Sequence, residues 1–146
     1  YYTKSILTSN HAWEAHDFTE IAILQQKYED TMAGLSNGLI ICDTNAFATK
    51  IWQRRYIGYD TPEMDELAVK SPADLYIVTG DEIPFVQDGI RDGEYIRHDM
   101  HKQFISELKS RKLPYIVVRG SVQERLKKAV TYIDTNILLT TEEPYE

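Results

Sequence analysis

Three short apolar runs constrain this chain more than any other feature. Leu39-Ile40-Ile41-Cys42 lies between Gly38 and Asp43, Leu75-Tyr76-Ile77-Val78 follows Asp74, and Tyr115-Ile116-Val117-Val118 follows Pro114. Continuous rather than alternating apolar runs of this length are typical of strands covered on both faces, as in a parallel sheet. The second and third runs end in turns that contain Gly80 and Gly120, and the first ends at Asp43. The segments between them have the length and period of crossover helices: Asn45 to Tyr56 with Pro62 to Lys70, then Asp99 to Lys112. Strands alternating with helices predict a parallel α/β sheet with right-handed crossovers. In such a sheet ligands bind beyond the carboxyl ends of the strands, which selects Asp43-Thr44-Asn45, Thr79 to Arg97 and Arg119-Gly120-Ser121.

Two further helices frame these runs. From Asp17 to Leu35 the positions Phe18, Ile21, Ala22, Gln25, Tyr28 and Met32 recur every three or four residues, with Asp17 as N-cap and Glu20 three residues on. After Ser121 the residues Val122, Leu126, Ala129, Val130, Ile133 and Ile137 form one stripe. Thr140 to Glu146 read as an acidic tail. With 146 residues the chain predicts a single domain with its own core.

Composition narrows the function classes. There are 16 Lys and Arg against 23 Asp and Glu, a formal charge of −7, which argues against a nucleic-acid face. The single cysteine, Cys42, forms no intrachain disulfide, so a reducing cytoplasm fits best. Inside its apolar run it reads as a buried small hydrophobe. The sequence lacks GxSxG, HExxH, CxxC and GxGxxG, which removes support for serine hydrolase, zincin, zinc-ribbon and Rossmann chemistry. Tyr1 stands where a complete chain would start with Met, and no signal-peptide core follows it.

Several residues have two readings each. Asp43, directly after a run, either holds magnesium through its waters or caps the next helix, a role Thr44 and Asn45 also suit. Arg91 and Arg97 either swing onto a triphosphate or pair with Asp88, Asp92 and Glu94 in a solvated loop. Phe85 beside Pro84 stacks on a flat ligand or packs in the core. Trp13 is a hydrophobic staple or a ligand-facing ring. Trp52 shares a helical pattern with Phe47 and Ile51 and belongs to the core. His98 and His101 have metal-compatible spacing but lack a third ligand nearby.

Taken in order, Asp17-Phe18-Thr19-Glu20-Ile21-Ala22 with Gln25, Cys42-Asp43-Thr44-Asn45 with Thr49, Asp74-Leu75-Tyr76, and Ile83-Pro84-Phe85-Val86-Gln87-Asp88-Gly89-Ile90-Arg91 followed by Arg97 resemble the NadR-type ribosylnicotinamide kinase domain, a P-loop kinase of AAA-ATPase type. The likeness runs from Trp13 to Ile137. It implies a three-layer parallel sheet of the P-loop kinase type and ATP- and Mg2+-dependent phosphorylation of the 5′-hydroxyl of nicotinamide riboside to nicotinamide mononucleotide. The resemblance assigns Asp43 to the catalytic acid position, as base or as magnesium holder through water, with Arg91 and Arg97 as lid arginines. It places Trp13, Thr44, Asn45, Phe85, Asp88 and Gly89 around the substrate. Gly120, Ser121 and Arg125 correspond to the last loop and helix, over the adenine. Phe85 stands where the family usually has Trp. The resemblance implies a small-molecule partner and neither nucleic acid nor membrane.

The family's GxxxxGK[ST] phosphate loop is not in this sequence, so the chain reads as a partial kinase domain whose first strand, phosphate loop and first helix precede Tyr1. Without that central strand, neighbouring strand edges are expected to be exposed. A nucleotide-binding regulatory protein of the same fold, and a kinase for another nucleoside or nucleotide, are the alternatives.

Overall fold

The computed structural model describes residues 12–70, 72–86 and 94–138. The chain divides into two compact units, Tyr1–Pro72 and Ala73–Glu146. Among the described residues the class is α/β, mostly helical, with one short parallel sheet of two strands.

Among the described residues the first unit is three helices, α1 (Ala15–Leu35), α2 (Ala46–Ile57) and α3 (Pro62–Lys70), each packed on the other two. The cap of helix α1 lies three residues before the predicted one. Glu14 is the N-cap, and Asp17 reaches back so that its Oδ2 accepts the Glu14 backbone N–H at 2.9 Å. Asp17 therefore closes the first turn from inside the helix. The residue before the cap is Trp13, and its ring packs on Phe18 with centroids 5.0 Å apart. This is a hydrophobic staple, which fixes how the chain enters the helix. Helix α2 starts where Asn45 Oδ1 accepts the Ala48 N–H at 3.1 Å and stops at Gly58, whose φ of +85° suits a residue without Cβ. Helix α3 has Pro62 in its first turn, and Thr61 Oγ1 accepts the Met64 N–H at 3.3 Å.

Phe18, Ala22, Ala46 and Met64 form the core, with Trp13, Trp52, Ile57 and Leu67 packed against it. Phe47 and Ile51 are also buried, so the pattern that placed Trp52 beside them marks a core face. Helix α1 contributes only its first two turns to this core. Tyr28 and Met32, which share its apolar period, are exposed.

The run Leu39–Cys42 does not form a strand. Four apolar residues become a strand only where a neighbour takes their N–H and C=O groups. The described elements of this unit are helices, which keep their backbone bonds to themselves. Ile41 is 79% exposed, and Cys42 is exposed rather than a buried hydrophobe.

In the second unit β1 (Tyr76–Thr79) pairs in parallel with β2 (Tyr115–Val118), in the register Tyr76 to Tyr115 through Thr79 to Val118. The crossover is a short 3₁₀ turn (Glu94–Ile96) running into α4 (Arg97–Ser110). Helix α5 (Val122–Ile133) follows β2 and packs on it, and one π-helical turn extends it over Asp134–Leu138. Its Ser121 Oγ accepts the Glu124 N–H at 3.3 Å while Glu124 Oε2 accepts the Ser121 N–H at 2.7 Å, a complete capping box. Met100, Leu108, Ile116 and Val118 are buried. Lys128 Nζ donates to the Val117 carbonyl at 2.7 Å. The predicted stripe on α5 is only partly used: Ala129, Ile133 and Ile137 are half-buried, whereas Val122, Leu126 and Val130 are exposed.

Candidate functional site

In the first unit the segment after Leu39–Cys42 carries the predicted acid. Asp43 and Thr44 are exposed and Asn45 is buried. Thr44 has φ +71°, in the left-handed region. For a β-branched residue this conformation is strained and persists only where the surroundings enforce it. Two contacts flank it. Gln25 Nε2, half-buried on α1, donates to the Thr44 carbonyl at 3.4 Å and to Glu29 Oε1 at 3.0 Å. On the other side the Asn45 side chain is committed to the cap of α2. Asn45 is thus the helix cap, and Asp43 is left with its side chain in solvent. A single exposed carboxylate suits a magnesium ion held through water beside a nucleotide's own phosphates. Among the described residues no group of three or more His, Cys, Asp or Glu could enclose a metal by itself. Desolvation, then the Glu29 carboxylate, push the neighbouring Cys42 thiol above its ordinary value, so it stays protonated and a weak nucleophile.

Trp13 belongs to an aromatic cluster. Besides Phe18 it meets Tyr56 at 5.5 Å, and Tyr56 meets Trp52 at 6.1 Å, with the Arg55 guanidinium 5.4 Å from the Tyr56 ring centre. Of its two readings, the staple is the one this geometry displays.

In the second unit the carboxyl ends of β1 and β2 lie side by side, and the loops that leave them interlock. Arg119, directly after β2, donates from Nη1 to Asp81 Oδ1 at 3.1 Å and to Glu82 Oε2 at 2.7 Å. His98 Nδ1, near the start of α4, meets Asp81 Oδ2. Desolvation pushes the Asp81 carboxyl up, but its own backbone N–H, the Arg119 guanidinium and the imidazoles of His101 and His98 together hold it below the usual carboxylate range. Glu82 is held low as well, first by its own backbone N–H and that of Gly120, against desolvation and with help from Arg119. His98 thus meets the Asp81 carboxylate that Arg119 also holds.

Arg97 also differs from a free lid residue. Its Nη2 donates to the carbonyls of Asp81, at 3.3 Å, and Ile83, and its guanidinium lies 5.9 Å from the centre of the Phe85 ring. In this arrangement it holds the loop after β1 and faces the ring expected to stack on substrate. Phe85 is half-buried. Gly120 has φ +90°, Ser121 caps α5, and Arg125 sits half-buried one turn into that helix. Asp88, Gly89 and Arg91 lie outside the described residues. An open groove of about 530 Å³ runs along α5, lined by Glu124, Lys128, Tyr132 and Asn136 among others, and none of the predicted residues lines it.

The structure thus groups the predicted residues by unit: Asp43, Thr44 and Asn45 around the start of α2, and Phe85 with Arg97 beside β1. The sequence reading missed Arg119, Asp81 and Glu82 as a set. Their signal was present: an acid pair just after one apolar run, and an arginine just after its neighbour, each run followed within two residues by glycine.

Among the described residues no helix is long and apolar enough to cross a membrane. Residues 2–125 match the family described as AAA domain, a span that reaches into both units and includes every predicted site residue. The chain belongs to the AAA domain family, whose members are nucleotide-binding domains of the P-loop type.

Proposed function

We propose that this chain is the substrate and lid portion of a P-loop kinase that phosphorylates the 5′-hydroxyl of nicotinamide riboside from ATP, with the phosphate loop supplied by sequence upstream of Tyr1. The observation that carries this reading is the strained backbone at Thr44, flanked by Gln25 and the Asn45 cap, directly beside the exposed Asp43 carboxylate. Strain of this kind concentrates where a side chain must be aimed.

In this reading Asp43 either accepts the proton of the attacking hydroxyl or holds the waters around magnesium, and Thr44 and Asn45 line the substrate side. Phe85 stacks on the nicotinamide ring. Arg97, together with Arg91, balances charge that builds on the transferred phosphoryl group. Gly120, Ser121 and Arg125 face the adenine. Magnesium, when bound with ATP, supplies neutralisation of the phosphate oxygens. Catalysis in such a kinase rests on positioning and electrostatics, with little covalent work for the protein. The strand that bears the phosphate loop would complete a three-layer parallel fold. It would also give Leu39–Cys42 the backbone partner that a strand requires. The excess of acidic over basic residues supports a small-molecule substrate over nucleic acid, and the lone exposed Cys42 suits a reducing cytoplasm.

The test is a substrate panel on the protein that contains both the phosphate loop and this chain. Incubation with ATP, magnesium and each nucleoside or nucleotide, followed by mass spectrometry, should yield nicotinamide mononucleotide as the main product. Preferential phosphorylation of another nucleoside would reassign the substrate. ATP binding without transfer to any acceptor would replace the kinase with a nucleotide-dependent regulatory protein.

A further inference from the structure

The carboxylate of Glu82 occupies a seat built from both strand ends. Its Oε1 accepts the Gly120 backbone N–H at 2.9 Å, and its Oε2 accepts Arg119 Nη1 at 2.7 Å. Gly80, the residue after β1, makes room for it: a Cβ there would stand 1.9 Å from Glu82 Oε2 and 2.6 Å from its Cδ. Gly80 is itself tied to the neighbouring strand, its N–H donating to the Val118 carbonyl at 2.8 Å. One carboxylate thus joins the loop after β1 to the loop after β2 by two charge-assisted hydrogen bonds. Asp81, gripped by the same Arg119 and by His98, reinforces the join. Arg97 then fixes the carbonyls of Asp81 and Ile83 and lies over Phe85.

We infer that Glu82 is a positioning residue: through the seat formed by Gly80, Arg119 and Gly120 it docks the loop that carries Phe85 onto the loop that carries Gly120 and Ser121. The consequence for ligand binding rests on the function proposed above. The ring that stacks on the nucleoside base and the backbone that faces the adenine are set in one frame, so losing the dock should weaken substrate binding more than chemistry. The docking itself needs only the described contacts.

The experiment has a structural and a kinetic arm. In the ¹⁵N-labelled chain the Gly120 amide resonance should titrate with an apparent pKa below the ordinary glutamate range. The groups that share this environment are Arg119, Asp81, His98, His101, Arg97 and Glu124. Glu124 accepts from Ser121, so the Glu82→Gln variant separates the two glutamates: the acid titration seen at Gly120 should vanish in it. In Glu82→Ala, amide exchange at Gly120, whose hydrogen bond to Glu82 is lost, should rise at least about tenfold while the amides of β1 and β2 stay within about twofold, a local effect that general destabilisation would not produce. In the protein that phosphorylates nicotinamide riboside, Glu82→Gln should raise KM for the nucleoside about tenfold with kcat within about threefold. A Gly120 amide unchanged by Glu82→Gln, or exchange that rises equally in the strands, overturns the docking. An unchanged KM in a protein whose dock is lost overturns the positioning role. If the unmutated protein phosphorylates no nucleoside while the Gly120 and exchange results hold, the proposed function fails and the docking stands.

Discussion

Replacing Lys50 should destabilise the first unit in two separable steps. Lys50 lies on α2, only 6% exposed, with Nζ 2.8 Å from Asp65 Oδ1 and 3.4 Å from Asp60 Oδ2. Arg54 holds Asp60 from the other side, with Nε 3.0 Å from Oδ1 and Nη2 on Oδ2. This network ties the turn after Gly58 to α2 and to the first turn of α3. Breaking a fully buried ion pair costs about 3–5 kcal/mol. Here the side chains of Asp60 and Asp65 are 24% and 51% exposed, and Asp60 keeps Arg54, so we expect about 2 kcal/mol for Lys50→Met. Methionine retains the length of the stem, which isolates the charge. Lys50→Ala removes about three buried methylenes as well, at about 0.8 kcal/mol each, bringing the loss to about 4 kcal/mol.

Urea unfolding followed by tryptophan fluorescence reads this directly, because the two tryptophans, Trp13 and Trp52, both belong to the first unit. Two results would refute the reasoning: a Lys50→Met chain as stable as the parent, or equal losses for Met and Ala. Acid provides a further check. Burial pushes the Asp60 carboxyl up, but the hydrogen bond and charge of Arg54 and the charge of Lys50 hold it below its ordinary value. A carboxyl lowered in the folded state contributes stability that is complete above its unfolded pKa of about 4 and disappears as pH falls through the folded value. The parent should therefore lose its advantage over Lys50→Met in that acid window.

Three other outcomes follow from the site. Asp43→Asn should abolish phosphoryl transfer in the complete protein while leaving its urea midpoint unchanged, and near-parent turnover would remove Asp43 from the chemistry. Thr44→Gly should stabilise the first unit by about 1 kcal/mol, because glycine adopts the left-handed backbone without strain, and should lower turnover by loosening Asp43; higher stability with full turnover would show the strain to be functionless. Trp13→Ala removes the staple ring from Phe18 and Tyr56 and should cost about 3 kcal/mol. If it leaves stability intact but raises KM for the nucleoside, Trp13 is a substrate residue.

Local order was largely legible in the residues. The helices at Pro62–Lys70 and Ala46–Ile57 follow from a proline in the first turn, an asparagine cap and a closing glycine. Trp13 and Phe18 announce a staple once a cap is placed between them, although the cap is Glu14 and not Asp17, because Asp17 serves as the returning half of the box. The strands at Tyr76–Thr79 and Tyr115–Val118 form where continuous apolar runs predicted them. The equally apolar Leu39–Cys42 does not, since periodicity records what a segment tends to bury and says nothing of who stands beside it. The same limit explains Tyr28, Met32, Leu126 and Val130, whose helical spacing is right and whose faces stay exposed. Arg97 was legible as a loop arginine, but its partners, two backbone carbonyls and an aromatic ring, carry no sequence signature.

What the sequence determines by itself is what depends on near neighbours: caps, helical period, the choice of glycine at Gly58 and Gly120, and the family to which residues 2–125 belong. Tertiary structure alone decided the join at the strand ends. Arg119 and Gly120 lie 37 and 38 residues from Glu82, and only the parallel register of β1 on β2 brings both strand ends level. Hydrogen bonds between groups so far apart in the chain depend on the backbone path between them, which no local pattern encodes. The strain at Thr44 is likewise a tertiary decision, because an isolated threonine avoids positive φ and the packing of α1 beside α2 holds it there.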